Sequence, residues 1–315
     1  MSELSRLAHK VIHALFSEQE EGRAQLEDAL TRGERETQAV LWLNEMVRDA
    51  FTSTPTTPSW FPPYVQCISA DERPGKHQLH DQGAIYCLDS SSVFCGSVVH
   101  ALGLKPERVL DLCASPGGKA LLTWRATRPE ILIANETIGK RLPALIANLK
   151  RCSIAPVYVT SMDSRVYAER TQAVMDLVLV DAPCSGQSLL ARGIESPGCF
   201  HPATINMNAN RQKRILSNAF ATVAPGGYLV YMTCTYALQE NERVLEWFIK
   251  RNQDVTVVEV PGYHSFTSRY TQLPCYRIFP WQGGAGGFVA VMQRAQSGER
   301  QEFIEDDLSI AWRHD

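Results

Sequence analysis

From Arg108 onward, short apolar runs alternate with stretches that are apolar on one face only. The runs are RVLDL, ILIAN, VYVT, DLVLVD, YLVYM, VTVVEV and, last, GFVAVMQ. Between them, Lys119–Thr127, Lys140–Lys150, Arg211–Val223 and Glu240–Lys250 read as helices. Strands that alternate with helices predict βαβ units and a mainly parallel sheet covered on both faces. In such sheets, ligands sit beyond the carboxyl ends of the strands, at the switch in strand order.

The first half reads differently. Residues 4–50 carry apolar residues at helical spacing, first Leu7, Val11, Ile12 and Leu15, then Val40, Leu41, Leu43 and Val47. The segment FTSTPTTPSWFPP, Phe51 to Pro63, is a breaker-rich connector. Tyr64 to about Leu88 holds short strands, and 91–102 reads as a helix leading into the main domain. The expected organisation is a mostly helical accessory region over 1–75, an α/β domain over 76–297, and a peripheral, polar, acidic tail over 298–315. No internal repeat or low-complexity tract interrupts it.

Composition adds limits. The 315 residues suffice for one large domain and a smaller one, and 44% hydrophobic with 21% charged residues is ordinary for a soluble globular chain. No apolar run reaches membrane-spanning length, and the N-terminus lacks a signal-peptide core, so a cytoplasmic protein is expected. Nine scattered cysteines, an odd number without a CxxC pair, indicate neither a disulfide framework nor a zinc site. His77 and His80 lack further partners at ligand spacing, so no metal is expected.

The net charge of −3 is unevenly spread. Residues 1–50 hold 10 acids and 6 bases, and residues 299–315 hold 6 and 2. The middle keeps 18 acids and 23 bases, an excess that permits contact with phosphates without requiring it.

Candidate chemistry gathers at the strand ends. The first run ends in Asp111-Leu112-Cys113-Ala114-Ser115-Pro116-Gly117-Gly118-Lys119, an acidic residue followed by a Gly-rich turn into a helix. Glycines let backbone approach a ligand, and a helix N-terminus offers free N–H groups. A phosphate-binding P-loop would need Gly where Cys113 stands and Ser or Thr where Ala120 stands, and the GxGxxG of dinucleotide folds is absent. An S-adenosylmethionine site remains, since that ligand carries no phosphate. Glu136, about 20 residues on, is placed to accept hydrogen bonds from ribose hydroxyls or else to cap the next helix. Asp163 is an adenine contact or, more commonly for such an Asp, a cap. The fourth run ends in Asp181-Ala182-Pro183-Cys184-Ser185-Gly186 and the fifth in Thr233-Cys234-Thr235. Neighbouring strands lie about 5 Å apart, so both cysteines would converge on one cavity. One buried Cys is usually packing; two at successive functional strand ends, one beside an Asp, point to chemistry.

DLCASPGGK, the DAPCSG turn and TCTYALQENE resemble, in order, three signature blocks of the RsmB/Nop/Sun-like RNA cytosine-5 methyltransferases. Arg141, Asn148 and Arg151 fit the family's second block, HQLHDQGAIYCLDSSS resembles its lead-in and RIFPWQGGAGGFVAVMQR its closing block, so the resemblance spans roughly 76–294. It implies a class I S-adenosylmethionine-dependent methyltransferase, with a Rossmann-like, mostly parallel seven-stranded sheet. It implies S-adenosylmethionine as methyl donor and a single-stranded or loop cytosine in ribosomal or transfer RNA as acceptor. Carbon 5 of cytosine is a poor nucleophile until a thiolate adds to carbon 6, which is covalent catalysis. In the family the cysteine of the TC turn attacks and that of the PC turn assists release, roles that fall on Cys234 and Cys184. Asp181 would meet the N3/N4 edge of the base, and Lys119 would face the site without an assigned step. Cys113 to Lys119, Glu136, Arg141, Asp163 and Asp181 would surround the cofactor.

The resemblance has gaps. After DAPCSG the family shows a basic pair and a Pro before Lys-Trp, whereas QSLLARGIESPGCFHP offers only Arg192 and Pro197. TCTYALQENE lacks a Pro common in that block. No PUA- or NusB-like extension is recognisable, so RNA is expected to be gripped mainly by the catalytic domain or by a partner protein. Two rivals stand beside this reading. A DNA cytosine methyltransferase would use the PC cysteine as nucleophile, and a silent RNA-binding or ribosome-assembly factor would keep only the fold.

Overall fold

The computed structural model describes residues 4–33, 37–44, 50–51, 57–69 and 71–315. Helices α1 (Arg6–Leu15) and α2 (Glu20–Arg32) come first. The Ser5 hydroxyl accepts the Ala8 amide at 3.2 Å to cap α1, and α2 ends on left-handed Gly33. Ile12, Leu15, Phe16, Leu26 and Leu30 bury their side chains with Phe200 and Tyr236 from the second half of the chain.

β1 (Thr37–Trp42), β2 (Val65–Ser69) and β3 (Ile85–Leu88) form an antiparallel sheet with β1 in the centre. The helix expected through Val40, Leu41 and Leu43 is therefore corrected: Val40 and Leu41 lie in a strand and Leu43 in the bend after it, while Val47 lies outside the described residues. Val40-Leu41-Trp42-Leu43 is a continuous apolar run, which periodicity alone cannot assign. Pairing on both edges decides it. Ala39 and Leu41 join the main core, while Val40 and Trp42 pack with Phe51, Ile68 and Ile85, the alternation of a strand buried on both faces. Residues 52–56 of the expected connector are likewise outside the described residues. A short helix, α3 (Gln78–Asp81), precedes β3, and two short helices, α4 (Ser90–Gly96) and α5 (Val98–Ala101), replace the single one expected over 91–102.

The large sheet follows. Its elements are β4 (Arg108–Asp111), α6 (Gly118–Thr127), β5 (Ile131–Asn135), α7 (Leu142–Arg151), β6 (Val157–Thr160), α8 (Ser164–Arg170) and β7 (Met175–Asp181). They continue with α9 (Pro202–Thr222), β8 (Val223–Thr233), α10 (Glu242–Arg251), β9 (Val255–Val258), β10 (Tyr276–Ile278), β11 (Gly287–Arg294) and β12 (Ile310–His314). The order is β10-β11-β8-β7-β4-β5-β6-β12, with β9 also paired to β11. Strands β6, β5, β4, β7 and β8 run parallel; β11 lies antiparallel on β8. The chain runs outward from β4 to β6 and returns to β7 on β4's other side, so the switch point lies between β4 and β7. Val109, Leu132 and Leu177 fill one face of the sheet, and Leu110, Ile133 and Val178 the other.

The sheet has nine strands where the resemblance implies seven, and the tail supplies one of them. In the tail over 298–315, β12 closes the edge of the sheet on β6, with Ile310 and Trp312 packing on opposite faces. Tyr158 donates to Glu305 at 2.9 Å and Arg313 pairs with the same carboxylate at 2.8 Å. Helix α9 begins at Pro202, nine residues before the expected start, because Pro fits the first helical turn and His201 caps it. Among the described residues no helix is long and apolar enough to cross a membrane.

Candidate active site

The loop leaving β4 is held from several sides. The Leu112 amide donates to Leu179 O at 2.9 Å and that of Ala114 to Asn135 O at 2.8 Å, binding it to β7 and β5. Arg141 donates to Ser115 O at 2.5 Å while Ser115 Oγ donates back to Arg141 O at 3.1 Å, and Asn148 donates to Pro116 O at 2.8 Å. Gly117 has φ of 112°, which disfavours any side chain, and a Cβ there would stand 3.3 Å from Leu145. Arg141 and Asn148 thus shape the Gly-rich turn. Arg151, from the same block, instead donates to the carbonyls of His80 and Ile85, joining α7 to the segment before β3.

Carboxylates surround this turn. Asp111 is fully buried; its Oδ1 accepts the Cys113 amide at 3.3 Å, and its Oδ2 has no hydrogen-bond partner. Burial, then the charge of Asp181, push the Asp111 carboxyl up to about 7. The Cys113 thiol is driven well above its ordinary value, by burial first and then by Asp111, Asp181 and Glu136. Glu136 is buried at the end of β5, accepting the Ile138 amide at 2.8 Å with Arg141 Nη1 3.3 Å away. An electronegative cradle with an orphaned buried carboxylate oxygen and no phosphate nest suits a cationic nucleoside, and S-adenosylmethionine fits it. Asp163 accepts the Arg165 amide at 2.9 Å and caps α8 from an exposed position at the end of β6.

Asn135 ties the strand ends together. Its Nδ2 donates to Leu112 O and Met162 O at 3.1 and 3.0 Å, while its Oδ1 accepts from Thr160 and the Met162 amide, each at 2.9 Å. Across the switch point, Lys119 Nζ lies 2.7 Å from Asp181 Oδ2 and 3.5 Å from Ser92 Oγ. Burial is the largest influence on Lys119 and opposes its charge, but Asp181, Cys95 and Cys234 together outweigh it, so the ammonium is held above its ordinary range.

β7 and β8 are parallel neighbours with Asp181 opposite Met232, so their following turns meet. The Sγ atoms of Cys184 and Cys234 are 3.2 Å apart. The pair divides its protons unequally. The hydrogen bond from Cys184 lowers Cys234, against the opposing pull of burial and Asp181, and Lys119 adds to the lowering. The same bond, with burial, raises Cys184 well above the thiol range. The arrangement favours negative charge on Cys234 over Cys184.

Four residues that the sequence reading does not single out also shape the site: Glu240, Gln212, Glu242 and Arg277. Glu240 Oε2 accepts the Ser185 amide and Gln212 Nε2, each at 2.9 Å, and Gln212 Nε2 also donates to Pro183 O at 3.0 Å. This brackets Cys184 between two fixed neighbours. Glu242 and Arg277 form a buried ion pair at 2.6 and 2.5 Å, and Arg277 also donates to Tyr236 O at 3.1 Å. The signals that point to three of them are the ENE triplet and the Arg of RIFPW, both within blocks that resemble the family's. Arg192 Nε stands 3.4 Å from Asp89 Oδ2, and Pro197 is exposed. His77 accepts the Leu79 amide at 3.1 Å as a cap, and no three potential metal ligands converge among the described residues.

A family model described as 16S rRNA methyltransferase RsmB/F matches residues 100–293. Ribosomal RNA small subunit methyltransferase F of Escherichia coli O127:H6 is 33% identical over 239 residues, 74% of this chain and 50% of that protein. Its namesake from Serratia proteamaculans is 31% identical over 229 residues, 71% of this chain and 48% of that protein. The chain therefore spans about half the length of these relatives. Two solved structures share the fold. A methyltransferase homolog from Pyrococcus horikoshii has a TM-score of 0.73 at 23% identity, covering 92% of this chain and 95% of that one. NSun6 from Pyrococcus horikoshii, solved with the S-adenosylmethionine analogue SFG, has a TM-score of 0.74 at 16% identity, covering 93% and 98%. With its model matched over most of the α/β sheet, the chain belongs to the RsmB/F family of 16S rRNA methyltransferases.

Proposed function

We propose that this chain methylates carbon 5 of a cytosine in RNA, ribosomal RNA first among candidates, through a covalent bond between Cys234 and carbon 6 of the base. The observation that carries the reading is the thiol pair, 3.2 Å apart at the carboxyl edge of the sheet, with its thiolate character on Cys234. S-adenosylmethionine, when bound, supplies the methyl group. Asp111, Glu136, Arg141 and the turn from Cys113 to Lys119 would hold it.

The protein's own groups account for the remaining chemistry. Asp181 faces the N3/N4 edge of the base, its Oδ2 fixed by Lys119. The Cys234 thiolate adds to carbon 6, which makes carbon 5 nucleophilic towards the methyl group. Carbon 5 then loses its proton to solvent, and the electron pair expels Cys234 as a thiolate, to which the Cys184 thiol 3.2 Å away donates a hydrogen bond. One methyl enters and one proton leaves, so the balance closes. The assignment opposes a DNA-type mechanism, in which Cys184 would be the thiolate.

The test is product identification. Purified protein, labelled S-adenosylmethionine and transcribed 16S rRNA are incubated, and the nucleosides are resolved by mass spectrometry. Labelled 5-methylcytidine is expected; label on another nucleoside, or on DNA in preference to RNA, would overturn the reading.

A further inference from the structure

Tyr236, Phe279 and Trp281 form a ladder of parallel rings. Tyr236 and Phe279 have centroids 6.2 Å apart at 2°, and Phe279 and Trp281 4.9 Å apart at 2°. Burial falls along it, from Tyr236 at 2% exposed to Trp281 at 40%. The inner end lies two residues beyond Cys234. The loop carrying Trp281 is fastened to the site at two further points. Tyr236 donates through its hydroxyl to Ala285 O, and Ser91 Oγ accepts the Gly286 amide at 3.0 Å. Ser91 adjoins Ser92, whose hydroxyl is the one 3.5 Å from Lys119. Gly286 has φ of 130°, and a Cβ there would fall 2.5 Å from the Tyr236 ring, so loop and ladder are closely fitted.

A lone exposed apolar side chain needs no explanation. Trp281 differs because it ends a stack that begins beside the nucleophile, and a cation stands near. Phe16 packs against Phe279 and Trp281 at 5.3 and 5.8 Å, and on its far side the exposed Arg269 guanidinium lies 5.1 Å from the Phe16 ring centre, its Nη2 donating to Leu15 O at 2.8 Å and to the Tyr270 hydroxyl at 3.1 Å. A base that enters the site must first leave its stack, and its neighbours need a new surface. Aromatic faces beside a positive charge are how single strands are gripped without sequence readout.

We propose that Trp281 is a stacking platform for the nucleobase flanking the target cytosine, with Arg269 placed to meet the adjoining phosphate. The proposal rests on the RNA reading above. It is tested with a short single-stranded RNA carrying 2-aminopurine beside a cytosine, using wild type and the Trp281→Ala, Trp281→Leu and Trp281→Phe variants. Wild type and Trp281→Phe should bind and quench the fluorophore. Trp281→Leu and Trp281→Ala should bind about 5- to 150-fold more weakly without quenching, the span one stacked base supplies. In methyl transfer, KM for RNA should rise by a similar factor while kcat at saturation stays within about twofold. Trp281→Leu preserves apolar packing without a π-face, so it decides the matter should Trp281→Ala unfold. Arg269→Gln should flatten the salt dependence of binding by about one counterion. Equal binding and quenching by wild type and Trp281→Leu would overturn the platform and leave the methyltransferase reading intact. A wild type that neither binds nor methylates RNA would overturn both.

Discussion

The sulfur atoms of Cys184 and Cys234 stand 3.2 Å apart although fifty positions separate them in the chain. They meet because β7 and β8 are adjacent and parallel, so both turns leave the same edge of the sheet. At that distance the two sulfurs share one hydrogen bond, and that bond, with Lys119, favours charge on Cys234.

Alkylation reads this division directly. Brief iodoacetamide treatment near pH 7, followed by peptide mass spectrometry, should modify Cys234 ahead of Cys184. An ordinary thiol titrates near 8.5, and Cys234 is held below its own ordinary value while Cys184 is held above. Reactivity of Cys234 should fall only as pH drops through its lowered value.

Lys119→Met removes the cation that favours the Cys234 thiolate and fixes Asp181. Activity requires the thiolate, so it rises with pH through the thiol's titration, and losing the cation moves that rise to higher pH. The pH profile of kcat should move upward, with a loss of about tenfold or more near pH 7. Moving a titration up by about one pH unit cuts the thiolate fraction on its acid side roughly tenfold.

Asp111 gives a stability effect of opposite dependence. Its carboxyl rises from 3.8 to about 7 on folding, chiefly through burial, so the folded state holds the proton more tightly. That contribution is complete below about pH 4 and is lost as pH rises through 7. At about 1.4 kcal/mol per pH unit, it amounts to roughly 4 kcal/mol. Asp111→Asn should shrink the stability lost between pH 4 and 8 by that order, as seen in urea unfolding at a series of pH values.

Arg277→Leu leaves Glu242 buried without its cation, although Ser268 still donates to it at 2.5 Å. Breaking a buried pair on one side costs about 3–5 kcal/mol, whereas replacing both partners is far less costly. Urea denaturation should show this loss for the single variant and recovery of much of it in Arg277→Leu with Glu242→Gln.

The strand ends that carry Asp111, Cys184 and Cys234 are legible in the sequence because alternating strands and helices constrain where carboxyl ends converge. Glu136 and Arg141 can be named from spacing and family likeness, but their contact with each other, and the grip of Arg141 on Ser115, depends on α7 lying over the turn. β1 reads as a helix because Val40 to Leu43 is apolar without interruption. Its identity follows from pairing with β2 and β3, which lie far along the chain. β12 is hidden because Ile310 and Trp312 alternate within an acidic tail that has no value as a strand until β6 offers an edge. The bracket that Glu240 and Gln212 place around Cys184 joins three separate segments, so no local pattern announces it.

In the mechanism proposed above, Cys234 forms the covalent bond and Cys184 releases it. The most direct measurement incubates wild type, Cys184→Ala and Cys234→Ala with substrate RNA and S-adenosylmethionine, then counts protein–RNA adducts that survive denaturing electrophoresis. An accumulating adduct is expected with Cys184→Ala and none with Cys234→Ala. An adduct that persists in Cys234→Ala and vanishes in Cys184→Ala would contradict it and transfer the nucleophile to Cys184.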